Sequence, residues 1–536
     1  MDLILRPLDD TSSQELHIPW PKDLDISIAK FLCFQAKLAP QPICAGLGRC
    51  GLCWVRWNNN QSKVLAEEEE ILSAAEIANG IRLACRHKMA ELADQAQILE
   101  INPKLFKVNS DQQKSDLQSE QSPKAQKTSQ PNPTRLSLAI DLGTTNICWA
   151  ATDLASAKKI ASGQFLNPQA LAGSDVISRL SLALEDKTQA AYLALTVKTS
   201  LQKLIQSLPG QVENCVLVGN TIMTEIFLEK DLQSFRQPPY TPDYQGDDWV
   251  ELDNFPKTYI PPLPGPFIGS DLASGLVSIS KQNYAPPWLL ADLGTNAEFA
   301  LYASDKLYLT SVPLGPALEG IGMRCGGLAS PTTATNFTLT PQGLLPKSLG
   351  QPCTKISATG YLNLLAQLLR LNILAPNGQF QTKSTSPLAQ KISQNLQIAH
   401  GRTIFKINKD LFLDGFDIEE MLKVKAAFAS AIHYLLQESG LEIKDLRNIL
   451  LAGALGTYVD PKNLETLGFL PPGFQLVQAV GNSALDGAKI LLAEPESKTW
   501  LKSTLEQAHL INLTAEPKFQ ETFLNNMSFG SQFCTK

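Results

Sequence analysis

Two stretches of the chain repeat one pattern of apolar and polar positions. Leu136–Ala150, LSLAIDLGTTNICWA, is an apolar run that ends at Asp141, turns through Gly143, Thr144, Thr145 and Asn146, and leaves as a second apolar run. Leu289–Leu301, LLADLGTNAEFAL, places Asp292, Gly294, Thr295 and Asn296 in the matching positions. Each block predicts two adjacent β-strands joined by a tight glycine turn. Tyr192–Leu208 has helical spacing, and Cys215–Val218 reads as a strand opening into Gly219-Asn220-Thr221 and a helix. Gln237–Gly265, rich in Pro and Asp, predicts an irregular connection. Asp417–Ser439 predicts a helix with Met421, Val424, Phe428, Ile432 and Leu435 on one face. Asp417 with Glu420 resembles a capping box there, and Gly440 is placed to close the helix. Ile449–Asp460 and Val480–Ala488 each predict a buried strand running into a glycine turn. Their small residues suit either a nucleotide base lying on the backbone or close helix packing. Gly315–Gly320 and Gly322–Gly327 are dense enough in glycine for a loop approached by a ligand, or for tight turns.

The first hundred residues follow a different plan. Met1–Leu8 and Glu15–Ile18 predict a strand pair around the polar turn Asp9–Ser13, and Ile26–Leu38 a helix ending before Pro40. Cys44, Cys50 and Cys53 then form C-x5-C-x2-C, and Cys85 follows in RLACRHK. Thiolates are soft ligands that suit Zn²⁺ or iron–sulfur clusters. A zinc ribbon pairs two C-x2-C units, whereas here the fourth cysteine is single and remote. Gly46, Gly48 and Gly51 suit a loop wrapped around a cluster. Three clustered cysteines and one distant one make the plant-type [2Fe–2S] layout, with one extra residue in the first gap. The segment resembles a [2Fe–2S] ferredoxin domain of the longer-loop, adrenodoxin-like form. Bound Zn²⁺ or four buried thiols are the alternatives. From Asn109 to Thr134, Gln, Ser, Lys and Pro replace the apolar residues, a composition that predicts disorder. A flexible linker of this length reaches on the order of 25–30 Å.

Bulk properties narrow the classes. The net charge of −6 over 536 residues argues against broad nucleic-acid binding. MDLILRPLDD lacks a basic, then apolar, export signal, and no apolar run reaches membrane-spanning length. A cytoplasmic location is expected, with the ten cysteines kept out of disulfides.

The two D-L-G-T turns carry the chemistry. Glycine lets backbone approach a phosphate, Thr and Asn add donors, and the strand-end Asp can hold Mg²⁺ or a water. Asp141-Leu-Gly-Thr-Thr-Asn146, Asp292-Leu-Gly-Thr-Asn296 and Ala452-Gly-Ala-Leu-Gly456 together resemble the superfamily of acetate and sugar kinases, heat-shock chaperones and actin. With the cysteine-rich segment, and with NPQ…GSDVISR, GNTIM, GTNAE, GPALEG, AGALGTYVD and GNSALDGA in order, the chain resembles the reductive activators of corrinoid proteins. The fold class expected is α/β, two ribonuclease-H-like halves, plus an N-terminal α+β β-grasp ferredoxin domain. The boundaries expected are 1–106 for the ferredoxin-like domain, 107–134 for the linker, 135–500 for the ATPase domain (halves about 135–285 and 286–500) and 501–536 for a tail.

The resemblance implies ATP-dependent transfer of one electron from a [2Fe–2S] cluster to the Co(II) of a corrinoid protein, giving Co(I). It implies Cys44, Cys50, Cys53 and Cys85 as cluster ligands, and Asp141 and Asp292 as the catalytic pair positioning Mg²⁺ and the attacking water. Gly143, Thr144, Thr145, Asn146, Gly294, Thr295 and Asn296 would hold phosphates, and Gly453, Gly456 and Gly481 would admit the nucleoside. Expected partners are a corrinoid protein and a low-potential electron donor, with no nucleic acid and no membrane; a homodimer is compatible. The alternatives are an iron–sulfur-linked kinase of the same superfamily and a nucleotide-gated redox sensor. Two departures from the family stand out. No separate middle domain is read between linker and ATPase, and Ser357-Ala358-Thr359-Gly360 replaces a Gly-Ser-Gly turn.

Overall fold

A computed structural model describes residues 2–7, 15–21, 24–34, 48, 53–57, 63–92, 98–102, 135–173, 175–320, 322–348, 350–382, 386–399, 402–470 and 476–530. Cys44, Cys50 and the 107–134 linker therefore lie outside the described residues. The fold is mixed α/β, and the chain divides into two compact units. Met1–Leu136, Leu142–Val212 and Glu225–Gln233 form one; Ser137–Asp141, Glu213–Thr224 and Ser234–Lys536 form the other.

The N-terminal region is a five-stranded sheet in the order Leu16–Pro19, Asp2–Pro7, Ile98–Ile101, Trp54–Trp57, Ile81–Leu83. Asp2–Pro7 pairs antiparallel with Leu16–Pro19, as the alternation predicts, and parallel with Ile98–Ile101. Alternate residues Leu3 and Leu5 point inward onto Phe31, Val55, Leu99 and Ile101, all fully buried. The helix spans Ile28–Phe34, starting later than the spacing indicates. Ser27 Oγ accepts the Lys30 N–H at 3.2 Å and so marks its start.

Two six-stranded sheets follow. One runs Asp248–Val250, Lys257–Ile260, Gln211–Val218, Arg135–Leu142, Asn146–Asp153, Lys159–Leu166. The other runs Val477–Gly481, Asn448–Ala452, Trp288–Leu293, Asn296–Ala303, Lys306–Pro313, His509–Leu510. In the second, Trp288–Leu293 is apolar at nearly every position because both its faces are covered. Leu289, Ala291 and Leu293 pack into the core that includes Tyr361, Phe428 and Leu435, while Leu290 packs with Leu272 and Leu276 on the other side. The hairpin register sets Asp292 opposite Glu298.

Three expectations are corrected. Gln237–Gly265 is not wholly irregular: Asp248–Val250 and Lys257–Ile260 pair antiparallel, and Lys257–Ile260 adds parallel to Gln211–Val218. Pro and Asp hide this short edge, yet Tyr259 and Ile260 are buried. The long helix spans Gly415–Ser439, and its cap is Asp414, which accepts the Asp417 N–H at 3.0 Å, so Asp417 and Glu420 make no capping box. Gly440 does close it, at φ 69°. The segment expected as a tail, 501–536, carries sheet and core instead. His509–Leu510 pairs parallel with Tyr308 and Leu309, and Phe529 is buried. Among the described residues, no helix is long and apolar enough to cross a membrane, and no cysteine forms a disulfide.

Candidate functional site

The first glycine turn is tied into its unit through its carbonyls. A Cβ on Gly143 would lie 2.4 Å from Asn146 O, so the turn closes on its own backbone and requires glycine. Asn167 Nδ2 donates to Gly143 O at 2.9 Å, and the Asn167 N–H donates to Thr145 O at 2.8 Å. Arg179, fully buried, donates from Nη2 to Thr144 O at 2.6 Å, from Nε to Gly173 O at 2.9 Å and from Nη1 to Gln169 Oε1 at 3.2 Å. A guanidinium behind the turn gives it the polarity an anion site needs. Asn167 and Arg179 fall in the NPQ…GSDVISR stretch, which entered the sequence reading only as part of the family resemblance.

The other unit gathers four carboxyl groups. Asp141 Oδ2 accepts from Asn482 Nδ2 at 2.7 Å, and Asn482 Oδ1 caps the helix Ser483–Ala493 by accepting the Leu485 N–H at 2.8 Å. Burial pushes Asp141 up to about 7; the charge of Asp271 adds to the shift and the Asn482 amide opposes it. Asp292 is also pushed up to about 7, first by burial and then by Asp271 and Asp141. Glu298, opposite Asp292 in the hairpin, is raised well above the carboxylate range by burial and by the charges of Asp271 and Asp292. Asn220 Nδ2 holds its Oε1 at 3.2 Å. Asp271, in the first turn of the helix Ser270–Ser280, is raised chiefly by burial. Desolvated carboxyls this close cannot all ionise unless a cation joins them. Among the described residues, no three His, Cys, Asp or Glu side chains converge to hold a metal by themselves. A cation here would complete its shell with phosphate oxygens and water, the arrangement Mg²⁺ prefers.

The second turn sits beside this cluster. The Gly294 N–H donates to Asn296 O at 3.1 Å, Leu314 N–H donates to Thr295 O at 3.1 Å, and Thr295 Oγ1 donates to Glu319 Oε1. Gly453, at φ 81°, begins the helix Gly453–Tyr458; a Cβ there would lie 2.7 Å from Leu293 O and 3.0 Å from Asp292 Oδ1. Gly456 serves packing, since a Cβ would meet Leu451 O at 2.8 Å. Gly481, at φ 69°, faces open space. In VGNSALDGA the smallness of Gly487 serves helix packing: its Cβ would lie 1.8 Å from Ser274 O in the helix Ser270–Ser280. The structure thus brings Asp141, Asp292 and Gly453 together and adds Asp271, Glu298, Asn220 and Asn482, which sequence reasoning did not single out. Glu298, Asn220 and Asn482 each sit directly beside an alanine or glycine, in GTNAE, GNTIM and GNSALDGA, and Asp271 lies two residues after Gly269.

Of the four candidate cluster cysteines, Cys53 and Cys85 are described. Trp54 pairs with Leu83, and the Ala84 N–H donates to Cys53 O at 3.0 Å, which puts both cysteines at the same end of two paired strands. Cys53 is buried and Cys85 half-buried.

Comparison with known proteins follows the same lines. A family model described as the RACo middle region matches residues 136–282, and one described as the C-terminal domain of RACo, the ASKHA domain, matches 287–534. The second half is therefore an ASKHA, actin-like ATPase domain. The stretch in which no separate middle domain was read is the one matched by the family's middle region. The chain is 27% identical over 422 residues to the corrinoid activation enzyme RamQ of Eubacterium limosum, covering 73% of this chain and 70% of that protein. It is 23% identical over 454 residues to the [Co(II) methylated amine-specific corrinoid protein] reductase of Methanosarcina barkeri, covering 74% and 77%. A solved reductive activator for corrinoid, iron-sulfur protein shares the fold, with a TM-score of 0.66 and 22% identity over 99% of this chain and 98% of that one.

Proposed function

Because the chain belongs to the family of reductive activators of corrinoid proteins, we propose that it returns a corrinoid protein from Co(II) to Co(I) by one-electron transfer coupled to ATP binding and hydrolysis. The observation that carries the ATP part is the carboxyl cluster: Asp141 and Asp292 near the ends of the glycine-turn strands, Glu298 opposite Asp292 in its hairpin and Asp271 in the first turn of the helix Ser270–Ser280, all four desolvated enough to resist ionising together. Such a cluster favours a divalent cation with its phosphates over water alone. Asp141 and Asp292 position Mg²⁺ and the attacking water. Asn482 and Asn220 orient Asp141 and Glu298. Gly143, Thr144, Thr145 and Asn146 cradle phosphate with Arg179 behind them, while Gly294 and Asn296 do so at the second turn. Gly453 leaves room beside Asp292, and Gly481 leaves room for the nucleoside.

Cys44, Cys50, Cys53 and Cys85 are the proposed ligands of a [2Fe–2S] cluster, and the shared strand end of Cys53 and Cys85 fits that use. A plant-type cluster supplies single electrons near about −400 mV. Each further 100 mV uphill costs about 2.3 kcal/mol for one electron. ATP offsets this only if its bound and hydrolysed states differ in affinity for the corrinoid partner. The linker 107–134 is the proposed arm between a low-potential donor and that partner.

The test is spectroscopic. Reduced protein mixed with Mg-ATP and a Co(II) corrinoid methyltransferase component gives the Co(I) band, and omission of ATP suppresses it. Equal Co(I) with and without ATP overturns the coupling; no Co(I) in either case overturns the activation.

A further inference from the structure

The glycine-dense stretch Gly315–Gly327 has no part in the reading above, yet it delivers one carboxylate to the second turn. We propose that Glu319 is a positioning residue that fixes the Thr295 hydroxyl as a hydrogen-bond acceptor, so that this side chain holds the attacking water and not a phosphate oxygen. The inference rests on the ATP-hydrolysing reading and assigns a task within the same site.

A threonine hydroxyl has one hydrogen to give and lone pairs to accept with. Thr295 Oγ1 gives that hydrogen to Glu319 Oε1, and Thr295 is only 3% exposed. Turning the hydroxyl toward a phosphate would leave the carboxylate without it, a cost that burial magnifies. What Thr295 offers a ligand is therefore acceptor capacity. Phosphate oxygens at neutral pH are acceptors too and gain nothing from it. A water is different: its two hydrogens can be held by acceptors while a lone pair faces phosphorus. Asp292, three residues upstream, ends the strand that leads into the same turn. Attack forms one P–O bond and breaks the bridging one, giving ADP and phosphate, and the water's proton passes to a carboxyl of the cluster.

Glu319 is also held in place. It ends the short 3-10 helix Pro316–Glu319, whose Ala317 and Leu318 are buried in the main core. Gly320 follows at φ 72°, and a Cβ there would lie 2.8 Å from Gly327 O and 3.3 Å from Ala358 N. The chain reverses just after Glu319 through a position only glycine fits, which fixes where the carboxylate can reach.

The experiment measures partner-stimulated ATP hydrolysis and, separately, Mg-ATP affinity by calorimetry, in the full-length protein with its cluster. Glu319→Gln keeps the shape, but its amide can donate to Thr295 Oγ1 and so free the hydroxyl hydrogen. The expected result is a fall in kcat of about 10²-fold from misplacing the water, with Mg-ATP affinity and Tm close to wild type. Thr295→Val should lose a similar factor, and the double variant should lose no more than either single one, because the two act as a unit. An unchanged kcat in Glu319→Gln, a loss confined to affinity, or additive losses in the double variant overturns the proposal. Wild-type protein that binds no nucleotide removes both readings; wild-type turnover with an indifferent Glu319→Gln removes this one alone.

Discussion

The two D-L-G-T turns have almost the same sequence and opposite surroundings. The first is backed by a buried cation: Arg179 donates to Thr144 O, and Asn167 to Gly143 O. The second is backed by an anion, Glu319, and stands over Asp292, whose neighbours are the carboxyls of Asp271, Asp141 and Glu298. One repeated motif thus stands in two unlike electrostatic surroundings. A turn with a guanidinium behind it suits the charge of phosphate, and one amid carboxyls suits a cation and water. Asp141 shares the contrast, since the Asn482 amide supplies it with a donor.

The sharpest break of this contrast is to neutralise the strand-end acids one at a time. Asp292→Asn should lower partner-stimulated ATP hydrolysis by roughly 10²–10³-fold, the scale for removing one fixed group that stabilises a transition state. Asp141→Asn, still able to accept from Asn482, should lose about tenfold. Equal losses would show that the surroundings do not differentiate the pair. The same acids give a pH signature. Both are held at about 7, far above an unfolded carboxyl, so the protons they retain stabilise the nucleotide-free fold at low pH. That contribution is whole below the unfolded pKa and is lost as pH rises through about 7. Mg-ATP needs them ionised, so its affinity should rise between about pH 6 and 8 with proton release near neutrality. Calorimetry in buffers of different ionisation enthalpy reads the protons, and Asp292→Asn should reduce their number.

Sequence made the hairpins legible because paired apolar runs, a polar glycine turn and a repeat agree. It also contained the Asp292–Glu298 pair, since a tight turn at Gly294-Thr295 forces that register. Asp271, Asn220 and Asn482 were harder. They arrive from separate segments, each beside small residues that carry no periodic signal, and only the closed sheet assembles them. Arg179 was not singled out for another reason: a buried arginine is rare, and nothing local announces that its partners are backbone carbonyls more than 30 residues away as well as nearby. The edge strand Asp248–Val250 and its neighbour Lys257–Ile260 were hidden by the prolines and aspartates in and around them. Of the four cysteines proposed as cluster ligands, spacing singled out all, and the described residues include Cys53 and Cys85.

Arg179 marks the next difference. Arg179→Ala leaves Thr144 O, Gly173 O and Gln169 Oε1 without this donor inside the protein, and should destabilise by about 2–4 kcal/mol. Thermal unfolding should show the loss, and Mg-ATP affinity should fall with it because the turn is no longer held. Glu319→Gln is expected to spare both quantities. If Arg179→Ala melts like wild type and binds Mg-ATP normally, the first turn does not depend on its cation.

The smallest effect separates the glycines themselves. At Gly143 a Cβ would strike Asn146 O at 2.4 Å, so Gly143→Ala must shift the backbone and should lower stability by itself. At Gly294 the only heavy atom among the described residues within 4 Å of a built Cβ, beyond its chain neighbours, is Asn296 O at 3.4 Å, an ordinary contact, and the backbone is not in the left-handed region. Nothing among the described residues forbids alanine at 294. If glycine is needed there, it is for something that approaches from outside, and a phosphate is the occupant argued above. Gly294→Ala should therefore melt close to wild type while losing about tenfold in Mg-ATP affinity, about 1.4 kcal/mol. Unaltered affinity would mean that the phosphates do not touch the second turn at Gly294, leaving that turn to its cation and water alone.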